Sequence, residues 1–129
     1  MFSIIPMLLT LSQLPANARS YDFVCHPTSG TEMPYRDGEL VQTPVRVKSK
    51  KGRIKVNTTT MTGYIGSQKM SVTSLAKDIY NFSTDKIPAS GKILTAILDV
   101  ENGTFTLTSF KPDGPRWITV RQIYGDCAY

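Results

Sequence analysis

The chain is poor in the residues from which most reactive centres are built. Its 129 residues hold one histidine, His26, and two cysteines, Cys25 and Cys127. Structural zinc sites draw mainly on Cys and His, and two cysteines with one histidine make a poor set for one. No metal site and no cofactor are expected. There is no Walker loop, no G-x-S-x-G elbow and no dinucleotide fingerprint. Charge is missing in two places. Residues 1–18 carry no charged side chain, and no acidic residue occurs between Leu40 and Lys77. No apolar run reaches the roughly 20 residues that a membrane-spanning helix needs, so no transmembrane segment is expected in the mature chain.

The uncharged start is informative. Phe2 to Leu14 is mostly apolar and is followed by Pro15-Ala-Asn-Ala18. An apolar core of this length before an A-x-A tripeptide is the pattern of a secretory signal peptide. The usual Lys or Arg ahead of the apolar core is absent, and a buried N-terminal strand or helix is the competing reading. The sequence therefore divides into a signal peptide, 1–18, and a single β-rich domain, 19–129, and the protein is expected to be secreted or periplasmic. Removing 18 residues from 129 leaves 111, enough for one domain with its own core. In an oxidising compartment, Cys25 and Cys127 are expected to pair. In the chain-entropy model, closing a loop of about 100 residues contributes up to about 4–5 kcal/mol. Free thiols or metal ligands are the alternatives.

The pattern along the mature chain is that of strands and turns. Tyr21 to Cys25 alternates and reads as a first strand, and the polar, Pro- and Gly-containing stretch Pro27 to Gly38 reads as a loop. Leu40 to Lys48 and Arg53 to Met61 flank Ser49-Lys-Lys-Gly52 and predict a hairpin. Tyr64 to Leu75 is ambiguous. Met70 and Val72 favour a strand, Ser74 to Tyr80 is open to a short helix, and Ile79 to Phe82 reads as a strand. Near the C-terminus, Asn102-Gly103 separates two apolar alternating runs, a strong signal for a two-residue type I′ turn. Such a turn pairs Glu101 with Thr104, Val100 with Phe105 and Leu98 with Leu107. A second turn, Pro112-Asp-Gly-Pro115, leads into Arg116 to Tyr124. Many short strands predict an all-β domain. A small antiparallel barrel, whose first and last strands are neighbours, accommodates the disulfide; a β-sandwich is the alternative.

Several short patterns invite a catalytic or ligand reading, and each has a plainer one. His26 is next to Cys25, but neighbours on a strand point to opposite faces. Ser74-Leu-Ala-Lys77 and Ser83-Thr-Asp-Lys86 match S-x-x-K without the companion motifs of the penicillin-binding enzymes. Asp99-Val-Glu101-Asn102-Gly103 lacks the ligand spacing of a calcium loop. Asn57, Asn81 and Asn102 each open an N-x-[ST] sequon.

The net charge of +5 is concentrated in the segment without acids, which holds Arg46, Lys48, Lys50, Lys51, Arg53 and Lys55. In the predicted hairpin Val45 pairs with Val56 and Val47 with Ile54. Arg46 then stands opposite Lys55, and Lys48 opposite Arg53. Like charges opposed in this way are destabilising. They form a candidate anion-binding surface for anionic polysaccharide or lipid headgroups. The plainer reading is that edge-strand lysines block aggregation. Aromatic residues are thin there, Tyr64 being the nearest downstream, so nucleic acid is not the expected partner.

The hairpin Leu98-Asp-Val-Glu-Asn-Gly-Thr-Phe-Thr-Leu-Thr108 and the ending Gly125-Asp-Cys127 resemble parts of uncharacterised secreted bacterial β-rich proteins, over the C-terminal third of the chain. The resemblance implies a periplasmic β-fold and no known activity. The small periplasmic lysozyme inhibitors share a disulfide-tied barrel plan, but their inhibitory loop has no counterpart here, and a basic chain suits a cationic enzyme poorly. The expected function is that of an exported, non-enzymatic binding module using the basic hairpin. The alternative is an inhibitor or interaction subunit that docks on a protein partner through Pro27 to Gly38.

Overall fold

A computed structural model describes residues 20–129, which form an all-β antiparallel barrel. The expected signal peptide lies outside the described residues. Ten strands follow one another: β1 (Ser20–Arg36), β2 (Glu39–Leu40), β3 (Val45–Arg46), β4 (Gly52–Asn57), β5 (Thr62–Ile65), β6 (Gln68–Ala76), β7 (Ile79–Thr84), β8 (Ile93–Asp99), β9 (Thr104–Gly114) and β10 (Trp117–Ala128). Strands β4 to β10 run as a meander, and β10 returns to β1, closing eight strands into a barrel. Among the described residues no helix is long and apolar enough to cross a membrane.

Closure sets Cys25 directly opposite Cys127 in the β1–β10 ladder, and the two form the expected disulfide. Inward positions alternate along every wall strand. Phe23, Ile54, Val56, Met70, Val72, Phe82, Ala96, Leu98, Phe105 and Ile123 fill the interior around that bond. Burial of this set is the main favourable contribution to folding. Tyr129 lies against Phe23, with ring centroids 4.7 Å apart, and covers one side of the core.

The expected loop Pro27 to Gly38 is instead the second half of β1. Both of its edges are engaged. One pairs with β10 from Val24 to Arg36; along the other, β4, β3 and β2 lie end to end. Pro27 is accommodated at a bulge, where the register shifts between Pro27 and Ser29. The true turn is Asp37-Gly38, with φ of 54° and 83°, as a type I′ turn demands.

The basic hairpin does not form. Arg46 pairs with Thr31, and Lys55 with Asp22, so β3 and β4 are consecutive pieces of one interrupted strand beside β1. Val45–Val56 and Val47–Ile54 pairing would leave β1 without a partner on that edge. The barrel satisfies those backbone groups instead. Val47 N–H donates to Gly30 O at 3.1 Å, and Gly66 N–H to Arg53 O at 2.9 Å.

The ambiguous region is a pair of hairpins. Ile65 faces Gln68 across Gly66-Ser67, and Ala76 faces Ile79 across Lys77-Asp78. No helix forms at Ser74 to Tyr80 because β6 and β7 are wall strands paired on both edges. At Asn102-Gly103 the register is shifted by two residues. Asp99 pairs with Thr104, Leu98 with Phe105 and Ala96 with Leu107. The loop therefore has four residues. Its conformation is held by Asp99, whose carboxylate accepts Asn102 N–H at 3.0 Å and Asn102 Nδ2 at 2.9 Å. Gly103, at φ 66°, is followed closely by the backbone of Cys127, whose N–H donates to Gly103 O at 2.7 Å. A shift of two keeps every side chain on its face, so the inward pattern survives. The second turn falls at Pro115-Arg116, because Gly114 pairs with Trp117.

Two outcomes test this account. A Cβ at Gly125 would overlap the carbonyl oxygen of His26 and come within 2.7 Å of Phe105 Cε1 at the closure seam. Gly125→Ala should destabilise by about 1–3 kcal/mol in a denaturant titration. The hydrogen bond from the Asn102 backbone, then its side chain, holds the Asp99 carboxyl below its ordinary range. Its contribution is therefore present above the unfolded-state value and lost as pH falls through the lower folded value. Asp99→Asn should flatten the stability profile below about pH 4.

Candidate functional site

The six cations fall into two groups. Arg53 and Lys55, on β4, are outward and exposed, and both stand beside Asp22 of β1. Arg53 Nη1 is 3.0 Å from Asp22 Oδ2, and Lys55 is its cross-strand partner. Arg46, Lys48, Lys50 and Lys51 lie further along the same edge. Arg46 is opposite Thr31 while Arg53 is opposite Val24. At about 3.3 Å per residue, that separation is about 23 Å along β1. None of these four forms a salt bridge among the described residues. The expected ladder of opposed like charges is thus absent. Four cations remain grouped on and beside the connection between β3 and β4.

That connection borders a groove of about 560 Å³ lined by Thr28, Ser29, Gly30, Thr31, Arg46, Val47 and Lys48. Its shape follows from two features of β1. The Pro27/Ser29 bulge re-aims the following residues, and Thr28 Oγ1 reaches the Tyr124 carbonyl at 3.3 Å. Gly30 has no side chain, so Val47 settles over it. A Cβ there would meet Val47 O at 2.9 Å and Val47 Cγ2 at 3.2 Å. The lining joins two cations to the hydroxyls of Ser29 and Thr31, and it contains no carboxylate. Such a wall offers donors and positive charge to an anion, and it has no nucleophile–base pair.

A second polar region was not anticipated. At the end of the barrel beyond the apolar core, a cavity of about 320 Å³ is lined by Glu32, Lys92, Ser109, Lys111, Asp113, Thr119 and Arg121. Arg121 Nη2 donates to Glu32 Oε2 at 2.7 Å and its Nε to the same oxygen at 3.3 Å. Thr119 Oγ1 donates to Asp113, and Lys111 Nζ is 3.9 Å from the same carboxylate. The alternation Thr119, Arg121, Ile123, Gly125, Cys127 is the signal that would have found it, because these residues share the inward face of β10. Glu32 pairs with Arg121 and Asp113 with Lys111, and no buried side-chain polar atom among the described residues lacks a partner. This cluster is a polar filling of the barrel mouth.

The remaining motifs are dispersed. His26 is exposed on β1 opposite Asp126, while Cys25 is held in the disulfide. Ser74 Oγ donates to the carbonyl of Ala76 at 3.3 Å, and Lys77 lies in the turn that follows. Ser83 is on β7 with Lys86 beyond its end, so neither S-x-x-K pattern has helical spacing. Among the described residues no three His, Cys, Asp or Glu converge on a metal position. The sequon amides are engaged locally. Asn57 Oδ1 accepts the N–H groups of Thr59 and Thr60, Asn81 Nδ2 donates to Ser83 Oγ, and Asn102 Nδ2 to Asp99.

Comparison with protein-family models, with curated proteins and with solved structures finds no match to this chain.

The mouth cluster generates a stability test. Glu32→Gln leaves the half-buried Arg121 without its anion and should cost about 1 kcal/mol in urea, because the pair keeps partial access to screening solvent. Adding salt should shrink the difference between the two proteins.

Proposed function

We propose that this chain is an exported, non-enzymatic binding module that holds anionic groups of an envelope component in the groove between β1 and the β3–β4 connection. The observation that carries the reading is the charge state of that groove. Other guanidinium groups on the barrel wall are neutralised: Arg53 by Asp22, Arg116 by Asp37 and Arg121 by Glu32. Arg46, Lys48, Lys50 and Lys51 have no such partner among the described residues, and hydroxyls of β1 stand beside Arg46 and Lys48. Exposed unpaired cations repel one another, and an anionic ligand relieves that repulsion. A carboxylate, sulfate or phosphate fits this chemistry. The disulfide is compatible with an oxidising compartment, which supports the export reading.

The test is salt-dependent binding to a sulfated or carboxylated polysaccharide. The purified protein should bind at about 0.01 M ionic strength, where the Debye length is about 30 Å, and weaken steadily toward physiological salt. Replacing Arg46, Lys48, Lys50 and Lys51 together with Gln should lower affinity at least about tenfold. Replacing Arg53 and Lys55, which flank Asp22, should have a smaller effect. Equal loss from both sets, or no binding by the native protein, would defeat the proposal.

A further inference from the structure

Strands β1, β9 and β10 have 17, 11 and 12 residues, while β4 to β8 have four to nine. The long strands outrun their neighbours and project past one rim of the barrel, with β2 along one side. In this projection the polarity of the two faces is reversed. The face continuous with the lumen carries Glu32, Lys111, Asp113, Thr119 and Arg121. The outward face carries apolar side chains in two adjoining register rows. One row is Leu40, Tyr35 and Ile118; the next is Met33, Val120, Phe110 and Ile93. Leu40, Ile118, Ile93 and Phe110 are 38–45% exposed, and a depression of about 510 Å³ lies between Tyr35, Ile118 and Phe110. A contiguous apolar face of this kind marks an interaction site rather than ordinary surface.

The charge around it selects the occupant. The row next to the apolar ones begins with Arg46, paired with Thr31; Lys48, Lys50 and Lys51 follow it along the β1 edge, away from the tip toward Gly52, which stands opposite Cys25. The acidic groups at the tip stand beside arginines. Asp37 is bonded to Arg116 and lies 3.9 Å from Arg36, and Glu39 stands opposite Arg36. The sole tryptophan, Trp117, is at the same tip, 38% exposed, with Arg36 over its ring at 5.2 Å. Exposed aliphatic and aromatic side chains at a tip, with free cations set back from it, match the layered chemistry of an anionic bilayer surface. The apolar groups enter the headgroup–acyl boundary while the cations meet the lipid phosphates.

We infer that the projecting end of β1, β9 and β10 docks on an anionic lipid surface, with Phe110, Ile118, Tyr35 and Leu40 as the inserting face and Arg46 and Lys48, the cations nearest to it, as headgroup contacts. The inference deepens the anionic-group reading above and rests on it, because Arg46 and Lys48 serve both. It adds a specific source of the anion and a second, apolar component of binding.

The full protein is tested against vesicles of phosphatidylcholine containing phosphatidylglycerol, and against phosphatidylcholine alone. The native protein should cosediment with the anionic vesicles and not with the neutral ones. Trp117 emission should shift to the blue on binding. The double variant Phe110→Ser with Ile118→Ser changes only outward, partly exposed residues; circular dichroism checks that its fold is kept. It should lose about tenfold or more in vesicle affinity while retaining native affinity for the anionic polysaccharide. Polysaccharide binding without vesicle binding would overturn the lipid inference and leave the anionic-group reading standing. Absence of both would overturn both. Vesicle binding indifferent to the double variant, or an apolar face buried in a stable self-dimer that ignores vesicles, would overturn the inference as well.

Discussion

Everything in this barrel depends on the antiparallel ladder between β1 and β10. Without it the meander from β4 to β10 is an open sheet with two unprotected edges, and the apolar face of each strand has no opposite wall. With it, the edges vanish and the interior closes around Phe23, Phe82, Met70 and Leu98, all of them at most 1% exposed. The Cys25–Cys127 bond joins the two strands at the level of this core, where Gly125 allows β10 and Phe105 to approach β1. A crosslink between the first strand and the last acts on an entropically costly contact, since closure brings together residues 102 apart in sequence.

Closure also determines how the rest of β1 is used. A strand that pairs with β10 along its whole upper length has a second edge to satisfy. The chain after Asp37-Gly38 satisfies it in three short pieces rather than one continuous strand. The breaks between those pieces are where the cations sit. Lys48, Lys50 and Lys51 lie in the connection before β4, outside regular pairing, where long charged side chains are free to extend into solvent. The groove beside them exists because Val47 lies over Gly30 and because a bulge turns Thr28 and Ser29.

The two ends of the barrel differ in what fills them. Around the disulfide the interior is apolar. Beyond Ile123 the same inward face continues as Arg121 and Thr119, and the partner positions on β1 and β9 are Glu32, Pro34, Ser109 and Lys111. The polar filling allows β1, β9 and β10 to extend past the rim without an apolar lumen, and it leaves their apolar residues on the outer face. The proposed binding surface follows from that arrangement: an apolar tip, a band of threonine and glutamine at Thr31, Gln122 and Thr108, and Arg46 at its β1 edge.

Much of this was legible in the sequence. Alternation and turn residues predict an all-β fold, and two cysteines near the ends predict the pairing of first strand with last. Leu98 and Phe105 are inward in both readings, because a register error of two residues does not change face. What misled was local. The polar stretch from Pro27 to Gly38 contains two prolines and reads as a loop until a partner is available on both edges. The Asp37-Gly38 turn signal was in plain view at its end. Val45, Val47, Ile54 and Val56 match one another as well as they match β1, and only the demand of β1 for a partner decides between the pairings. The all-β class, the bond between Cys25 and Cys127 and the alternation of the walls were determined by the sequence alone, because they follow from side-chain periodicity and a forced cysteine match. The division of the cations into neutralised and unpaired groups, and the inversion of polarity at the projecting end, were decided only in the tertiary structure, because both depend on which residues from distant strands come to lie side by side.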